Sequence, residues 1–80
     1  MEFSVLLSSV ADVKYFVDAA CVYPDEVDVL AGRYVVNGKS IMGLFSIDLS
    51  GPLTVRLSGN RPEGEAMKQK LAPFLVGDRD

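Results

Sequence analysis

The segment "LTVRLS", residues 53–58, alternates apolar and polar side chains without a break. Leu53, Val55 and Leu57 fall on one side of an extended chain, and the residues between them fall on the other. A strand with this pattern belongs to a sheet that has one covered face and one face in water. The chain must therefore supply further strands beside this segment and helices to cover one face.

Three more segments have strand character. In residues 2–7, "EFSVLL", Phe3, Val5 and Leu7 lie on one side. Residues 26–38, "EVDVLAGRYVVNG", contain two extended runs that are separated by Gly32, which predicts a hairpin. With residues 53–58 these segments make four strands.

A first helix is expected between the first strand and the hairpin. Ser9 stands three residues before Asp12, which matches a capping box in which the serine oxygen accepts a free helix amide. Apolar side chains then follow at helical spacing, so we expect a helix from about Val10 to Cys21, with Pro24 beyond its end.

Two more helices follow the hairpin. In residues 37–46, "NGKSIMGLFS", Ser40 is placed to cap a short helix that ends before "SGP" at 50–52. The last helix is expected to start at Asn60, as a capping residue paired with Glu63, and to bend or stop near Pro73. The tail, residues 77–80, is expected to be frayed.

The element order is strand, helix, strand, strand, short helix, strand, helix. Eighty residues provide material for one core, so we expect a single domain over residues 1–80. The predicted class is α+β, an open-faced β-sandwich in which three helices cover one face of a four-stranded antiparallel sheet.

Composition excludes several classes of function. The chain has a net charge of -3, which disfavours a sequence-independent grip on nucleic acid, and it has no histidine to bind metal, act as a base or accept phosphate. Cys21 is the only cysteine; we expect it to be a small buried core residue in a reducing compartment, and it cannot form an internal disulfide or a thiolate metal site. No apolar run approaches the roughly 20 residues that span a bilayer, so a cytoplasmic protein without membrane insertion, metal or cofactor is expected.

With this element order, the segment "NGKSIMGLFSIDL" resembles the serine-site signature of the HPr family, the small histidine-containing phosphocarriers of the bacterial phosphotransferase system. Residues 39–43, "KSIMG", match a common form of that signature residue for residue, and a looser similarity runs from "YFVDAA" in the first helix through the last one. The resemblance implies the HPr-like fold. It also implies protein partners: HPr kinase, components of the phosphotransferase system or a transcriptional regulator.

The sequence departs from the family at the phosphoryl acceptor. Family phosphocarriers have a histidine just before the first helix and an arginine two residues later; these positions align here with Ser9 and Ala11. Serine lacks the nucleophilicity of imidazole near neutral pH, so the usual phosphorelay cannot run on this chain.

Ser40 is the principal candidate for regulation. From the residues alone it is a helix cap, and the resemblance implies a counterpart of the serine that HPr kinase phosphorylates. A phosphate here would meet the positive end of the helix dipole and the ammonium of Lys39, at about 0.3–1 kcal/mol for each such interaction.

An apolar contact surface is expected on the short helix. Ile41, Met42 and Phe45 occupy one side of it, while Leu44 and Ile47 occupy another. If Leu44 and Ile47 pack inward, the first set and Lys39 remain for a partner protein. Alternatively, the helix rolls so that Ile41 or Phe45 completes the core.

The leading hypothesis is a monomeric, histidine-lacking HPr-like protein that acts as a regulatory or interaction module and is modulated at Ser40. The alternative is a phosphocarrier with a different acceptor, Ser9 or Cys21. Catalysis by the chain itself is not expected, because no nucleophile–base pair or phosphate-binding glycine loop is evident.

Overall fold

Four antiparallel strands and three helices form the protein, as described by a computed structural model over residues 1–76. The sheet has the order β1-β4-β2-β3, and every neighbouring pair is antiparallel. This confirms the predicted open-faced sandwich. The elements are β1 (Glu2–Val5), α1 (Val10–Val22), β2 (Val27–Ala31), β3 (Tyr34–Asn37), α2 (Ile41–Phe45), β4 (Leu53–Leu57) and α3 (Pro62–Lys70), followed by a 3₁₀ turn (Ala72–Phe74).

The core lies between the helices and one face of the sheet. Leu53, Val55 and Leu57 are buried on this face, as their alternation predicts, and Arg56 is exposed on the other. The predicted inner residues of β1 are also buried, although the strand itself ends at Val5. The helices contribute the rest of the core, with Val13, Phe16, Ala19, Ala20, Leu44, Met67 and Leu71.

The hairpin turns where the sequence predicts it. Ala31 pairs with Tyr34, so the loop contains only Gly32 and Arg33. Gly32 has φ 61°, a left-handed value that glycine adopts without steric cost and that fits the first position of a type II′ turn.

The C-terminal segment covers part of the outer edge of β1. The α3 helix ends before Pro73, as predicted, because proline cannot continue the hydrogen-bond ladder. Beyond the 3₁₀ turn, the amide of Leu6 donates to the carbonyl of Phe74 and the amide of Val76 donates to that of Ser4, at 2.9 and 3.1 Å. Residues 77–80, which were expected to be frayed, lie outside the described residues.

Two predictions at helix ends were wrong. The cap of α3 is Arg61, whose side chain makes no capping bond, rather than Asn60. The reason is Pro62, which occupies the first helical position and forces the residue before it into an extended conformation. Cys21, expected in the core, is exposed in the last turn of α1 because the buried stripe passes through Ala19 and Ala20 instead.

Within residues 1–76, no helix has both the length and the apolar character needed to cross a bilayer. The same part of the chain contains no group of three or more cysteine, aspartate or glutamate side chains arranged to hold a metal ion.

Candidate functional site

The start of α1 is a closed hydrogen-bonding unit. The Oγ of Ser9 accepts from the amide of Asp12 at 3.1 Å, as the capping pattern predicts. The carboxylate of Asp12 reaches one residue further back than expected and accepts from the amide and the hydroxyl of Ser8, at 3.0 and 3.1 Å. These donors hold the pKa of Asp12 below its ordinary value. The Ser8 amide has the largest effect, and desolvation, which is the next largest, opposes it.

Ser40 caps α2. Its Oγ accepts from the amide of Gly43 at 3.1 Å, and its side chain is half-buried. Glycine at position 43 has a local reason, because a Cβ there would lie 3.3 Å from the Oγ of Ser40 and 3.6 Å from the Cβ of Val36 in β3. The distance to Ser40 is tight, whereas the distance to Val36 is an ordinary van der Waals contact, so the glycine eases only the approach of α2 to its own cap.

Lys39 connects α2 to the end of α1. Its Nζ donates to the carbonyl of Tyr23, the C-terminal cap of α1, at 2.7 Å. A cation at this end of a helix is favoured, since the unpaired carbonyls carry partial negative charge. The ammonium is thus directed to α1, and the Sγ of Cys21 lies 3.9 Å from the backbone carbonyl of Lys39.

The apolar residues of α2 divide between core and surface. Leu44 is fully buried, and Ile41 and Ile47 are half-buried against the core. Met42 and Phe45 remain 79% and 45% exposed. Leu44 therefore packs inward, which is the condition stated above for a contact surface on α2. Ile41, however, contributes to the core, as the alternative arrangement predicts.

Phe45 shares a shallow depression with the start of α1. The depression has a volume of about 530 Å³ and includes Leu6, Ser9 and Val10 beside Phe45. Val10 is 62% exposed, and Met42 lies one turn of α2 before Phe45. We call the set Leu6, Ser9, Val10, Met42 and Phe45 the α1–α2 face.

The two serines lie near opposite ends of α1. Ser9 precedes its first residue, while the contact between Lys39 and Tyr23 places Ser40 close to its last turn. A helix of 13 residues is roughly 20 Å long. A modification at Ser40 and an acceptor at Ser9 would consequently be separate sites.

Sequence reasoning missed the contribution of α1 and the strand before it to this face. Val10 and Leu6 had no assigned role, although Val10 is an apolar residue at the first helical position, directly after the cap. Helical spacing places Val10 on the side of Val13 and Val17, so its exposure of 62% could not be read from the periodicity.

A larger depression of about 610 Å³ lies at another end of the sheet, between the hairpin turn and the loop after α2. It contains Arg33 and Asp48 but none of the candidate residues. The Asp48 carboxylate accepts hydrogen bonds from Ser50, which lower its pKa and fold the loop locally. We assign this depression no role in the site.

Three solved structures, each named as an HPr or a phosphocarrier protein, share this fold. HPr-C-His from Thermoanaerobacter tengcongensis superposes with a TM-score of 0.75 at 21% identity, covering 91% of this chain and 88% of its own. The histidine-containing phosphocarrier protein of Mycoplasma gives 0.72 at 19% identity, covering 96% and 100%. The phosphocarrier protein HPr of Bacillus anthracis strain Ames gives 0.68 at 24% identity, covering 92% and 95%.

The sequence itself significantly matches no family model and no curated protein. The structural similarity therefore establishes the HPr-like fold, which was inferred from "KSIMG" and the order of the elements. Identities of 19–24% leave the role of this chain to be argued from its own residues.

Proposed function

We propose that this protein is an HPr-like interaction module which binds a partner protein through the α1–α2 face and does not carry phosphate on histidine. One observation carries the proposal. At the α1–α2 face, apolar side chains are exposed around a serine whose oxygen already caps a helix. Such a surface suits contact with another protein rather than transfer of a phosphoryl group.

Two features disfavour the alternative of a carrier that uses Ser9. Position 11 holds alanine, so the family's cation near the acceptor is missing. The carboxylate of Asp12 is held beside Ser8 and Ser9 in its charged form, and it would repel an incoming phosphoryl group. Within residues 1–76, no side chain is hydrogen-bonded to the thiol of Cys21. Its one hydrogen bond is to the backbone carbonyl of Lys39.

Regulation at Ser40 is the finer part of the proposal. A phosphate on its Oγ would replace the capping oxygen with oxygens that accept from the first amides of α2. Since Lys39 is engaged with Tyr23, these amides, rather than the lysine, would provide the local attraction. The modification would add about two negative charges close to Met42, and would so change which partner the face accepts.

The regulatory part can be tested with HPr kinase and ATP. We expect phosphate incorporation into the native protein and none into Ser40→Ala. Ser46→Ala is the matched control, because it removes a hydrogen-bonding hydroxyl at the other end of the same helix, and it should be modified like the native protein. Circular dichroism shows whether each variant is folded. Absence of Ser40-dependent incorporation would refute this part alone.

The interaction part requires a different experiment. The immobilised protein is exposed to purified candidate partners, namely HPr kinase, phosphotransferase-system proteins and a transcriptional regulator of that system. Met42→Asp and Phe45→Asp should weaken binding at least tenfold, or by about 1.4 kcal/mol. Val22→Asp serves as a control, because Val22 is similarly exposed but lies on the side of α1 that meets α3.

Equal binding by the native protein and both face variants would contradict a role for the α1–α2 face. Incubation with phosphoenolpyruvate and the general enzyme of the phosphotransferase system tests the alternative, a phosphocarrier that uses Ser9 or Cys21. Labelled protein that depends on Ser9 or Cys21 would establish a carrier with an unusual acceptor and would overturn the proposal.

A further inference from the structure

β3 is an open edge of the sheet. The order β1-β4-β2-β3 places β1 and β3 at the two edges. The outer side of β1 is partly covered by the bridge between Val5 and Leu75. No segment within residues 1–76 pairs with the outer side of β3. Within the described residues, the outer edge of β1 is thus partly covered and that of β3 is open.

The free backbone groups of this edge follow from the pairing of β3 with β2. The amide of Gly38 donates to the carbonyl of Val27 at 2.7 Å, which continues the register in which Val29 faces Val36. Because hydrogen bonding alternates along an antiparallel strand, the groups of Val36 face β2 and those of Val35 face outward. The amide and carbonyl of Val35 are available to another strand.

The edge also lacks the usual protection against pairing. The four residues of β3, "YVVN", include no charged residue and no proline, and their pairing with β2 has no bulge. Tyr34 and Val35 are 65% and 58% exposed. Edge strands in natural proteins commonly carry charges, prolines or bulges because an unprotected edge pairs with other chains.

We propose that β3 pairs antiparallel with β3 of a second copy of this chain, so that a two-fold axis at Val35 joins two four-stranded sheets into one. In this register Val35 faces Val35 of the second copy, with which it exchanges two hydrogen bonds. Tyr34 faces Val36 of the second copy, and the two-fold axis repeats this aromatic–β-branched pair. Each copy has a net charge of -3, but residues 34–37 carry no charge. No like charges therefore meet at the centre of the junction between the two strands.

Charge alternation on the outer face of the sheet continues across the proposed junction. One cross-strand row contains, in spatial order, Glu2, Arg56, Asp28 and Asn37. Arg56 pairs with Glu2 at 2.9 Å, so opposite charges already neighbour one another in this row. The proposed register brings the hairpin loop of the second copy, which contains Arg33, next to Asn37, so that a positive charge lies at the end of this row. The neighbouring row joins Leu30 and Val35 of both copies into one apolar strip.

A four-residue edge buries little surface, so we expect a weak dimer. Sedimentation equilibrium at roughly 10 µM to 1 mM should show the mass rising from 8.7 kDa toward twice that value. Val35→Lys should raise the dissociation constant at least tenfold, because a charge is placed against its own copy. Val22→Lys, which changes a similarly exposed valine in α1, should have no effect.

Disulfide cross-linking tests the register. In a Cys21→Ser background, Val35→Cys should form a covalent dimer on mild oxidation, because facing residues have Cα atoms about 5.5 Å apart. Asn37→Cys should not form a covalent dimer, because position 37 faces position 33 of the second copy. Position 37 of that copy lies four residues further along the strand. A monomer at every concentration, a dimer that Val35→Lys leaves intact, or equal cross-linking at positions 35 and 37 would overturn the proposal.

Discussion

At the scale of single residues, Gly38 is the position where the fold leaves least room. A Cβ there would lie 2.6 Å from the Cγ1 of Val27, which is itself buried. Its amide also bonds to the carbonyl of the same valine, so the backbone cannot move away easily. Glycine is required here by close approach.

We expect Gly38→Ala to lower the free energy of unfolding by about 1–3 kcal/mol, the usual cost of overpacking. Urea denaturation followed by circular dichroism measures it. Gly51→Ala is the control, because a Cβ there meets nothing within 4 Å. The control should leave stability unchanged or raise it by up to about 1 kcal/mol. Equal losses in both variants would show that the packing around Gly38 is wrongly described.

Removal of the α1 cap should also be measurable. Ser9→Ala is expected to lower the free energy of unfolding by about 1 kcal/mol, because the amide of Asp12 loses its acceptor. Ser9→Thr should retain most of this stability, since a threonine hydroxyl accepts from the same amide without adding charge beside Asp12. Identical losses in the two variants would contradict the capping role.

Residue-level sequence reasoning succeeded for most local determinants, with the exception of the α3 cap, which Pro62 moves from Asn60 to Arg61. The caps at Ser9 and Ser40 and the turn at Gly32 depend on neighbours within three residues, and all three are confirmed. It failed for Cys21, where a general preference for burial was used in place of the helical stripe. It did not foresee the bond from Lys39 to Tyr23, since those residues are 16 positions apart.

At the scale of elements, this bond makes the end of α1 depend on the segment before α2. Lys39→Met keeps the length and apolar stem of the side chain but removes its donor. We expect a loss of about 1 kcal/mol in the free energy of unfolding, because a helix-terminal carbonyl loses a charged partner. Lys70→Met, at an exposed position, is the control and should change stability by less than about 0.5 kcal/mol. A similar loss in both variants would assign the effect to net charge.

The elements themselves were largely predictable. The alternation in residues 53–58 and the stripe in α1 identify β4 and α1, with ends correct to within one residue. The covering of β1 by residues 74–76 was not predictable, because bridging residues 5 and 75 leaves no local pattern. The division of α2 into core and surface sides was also left open by the sequence, since its apolar residues surround the helix.

At the scale of the whole molecule, acid should unfold the protein through several carboxylates together. The pKa values of Asp12, Asp25 and Asp48 are lowered, chiefly by hydrogen bonds from Ser8, Arg61 and Ser50 respectively. A carboxylate whose pKa is lower in the folded state stabilises that state above the pKa of the unfolded chain. The contribution is lost as the pH falls through the folded pKa.

We therefore expect the melting temperature to be steady above about pH 5 and to fall below about pH 4, near the ordinary pKa of aspartate. Differential scanning calorimetry across this range measures it. Asp25→Asn should reduce the slope of the decline, because the partner of Arg61 no longer titrates. A melting temperature that rises on acidification would contradict the assigned hydrogen bonds. The absence of histidine predicts little change between pH 6 and 8.

The bridge between Val5 and Leu75 has a consequence for the order of folding. β1 is far in sequence from both of its partners, because β4 begins at Leu53 and the outer cover lies about 70 residues away. The hairpin of β2 and β3, whose contacts are local, has no such delay. β1 therefore pairs only through contacts that are distant in sequence, and we expect it to join the sheet after the hairpin has formed.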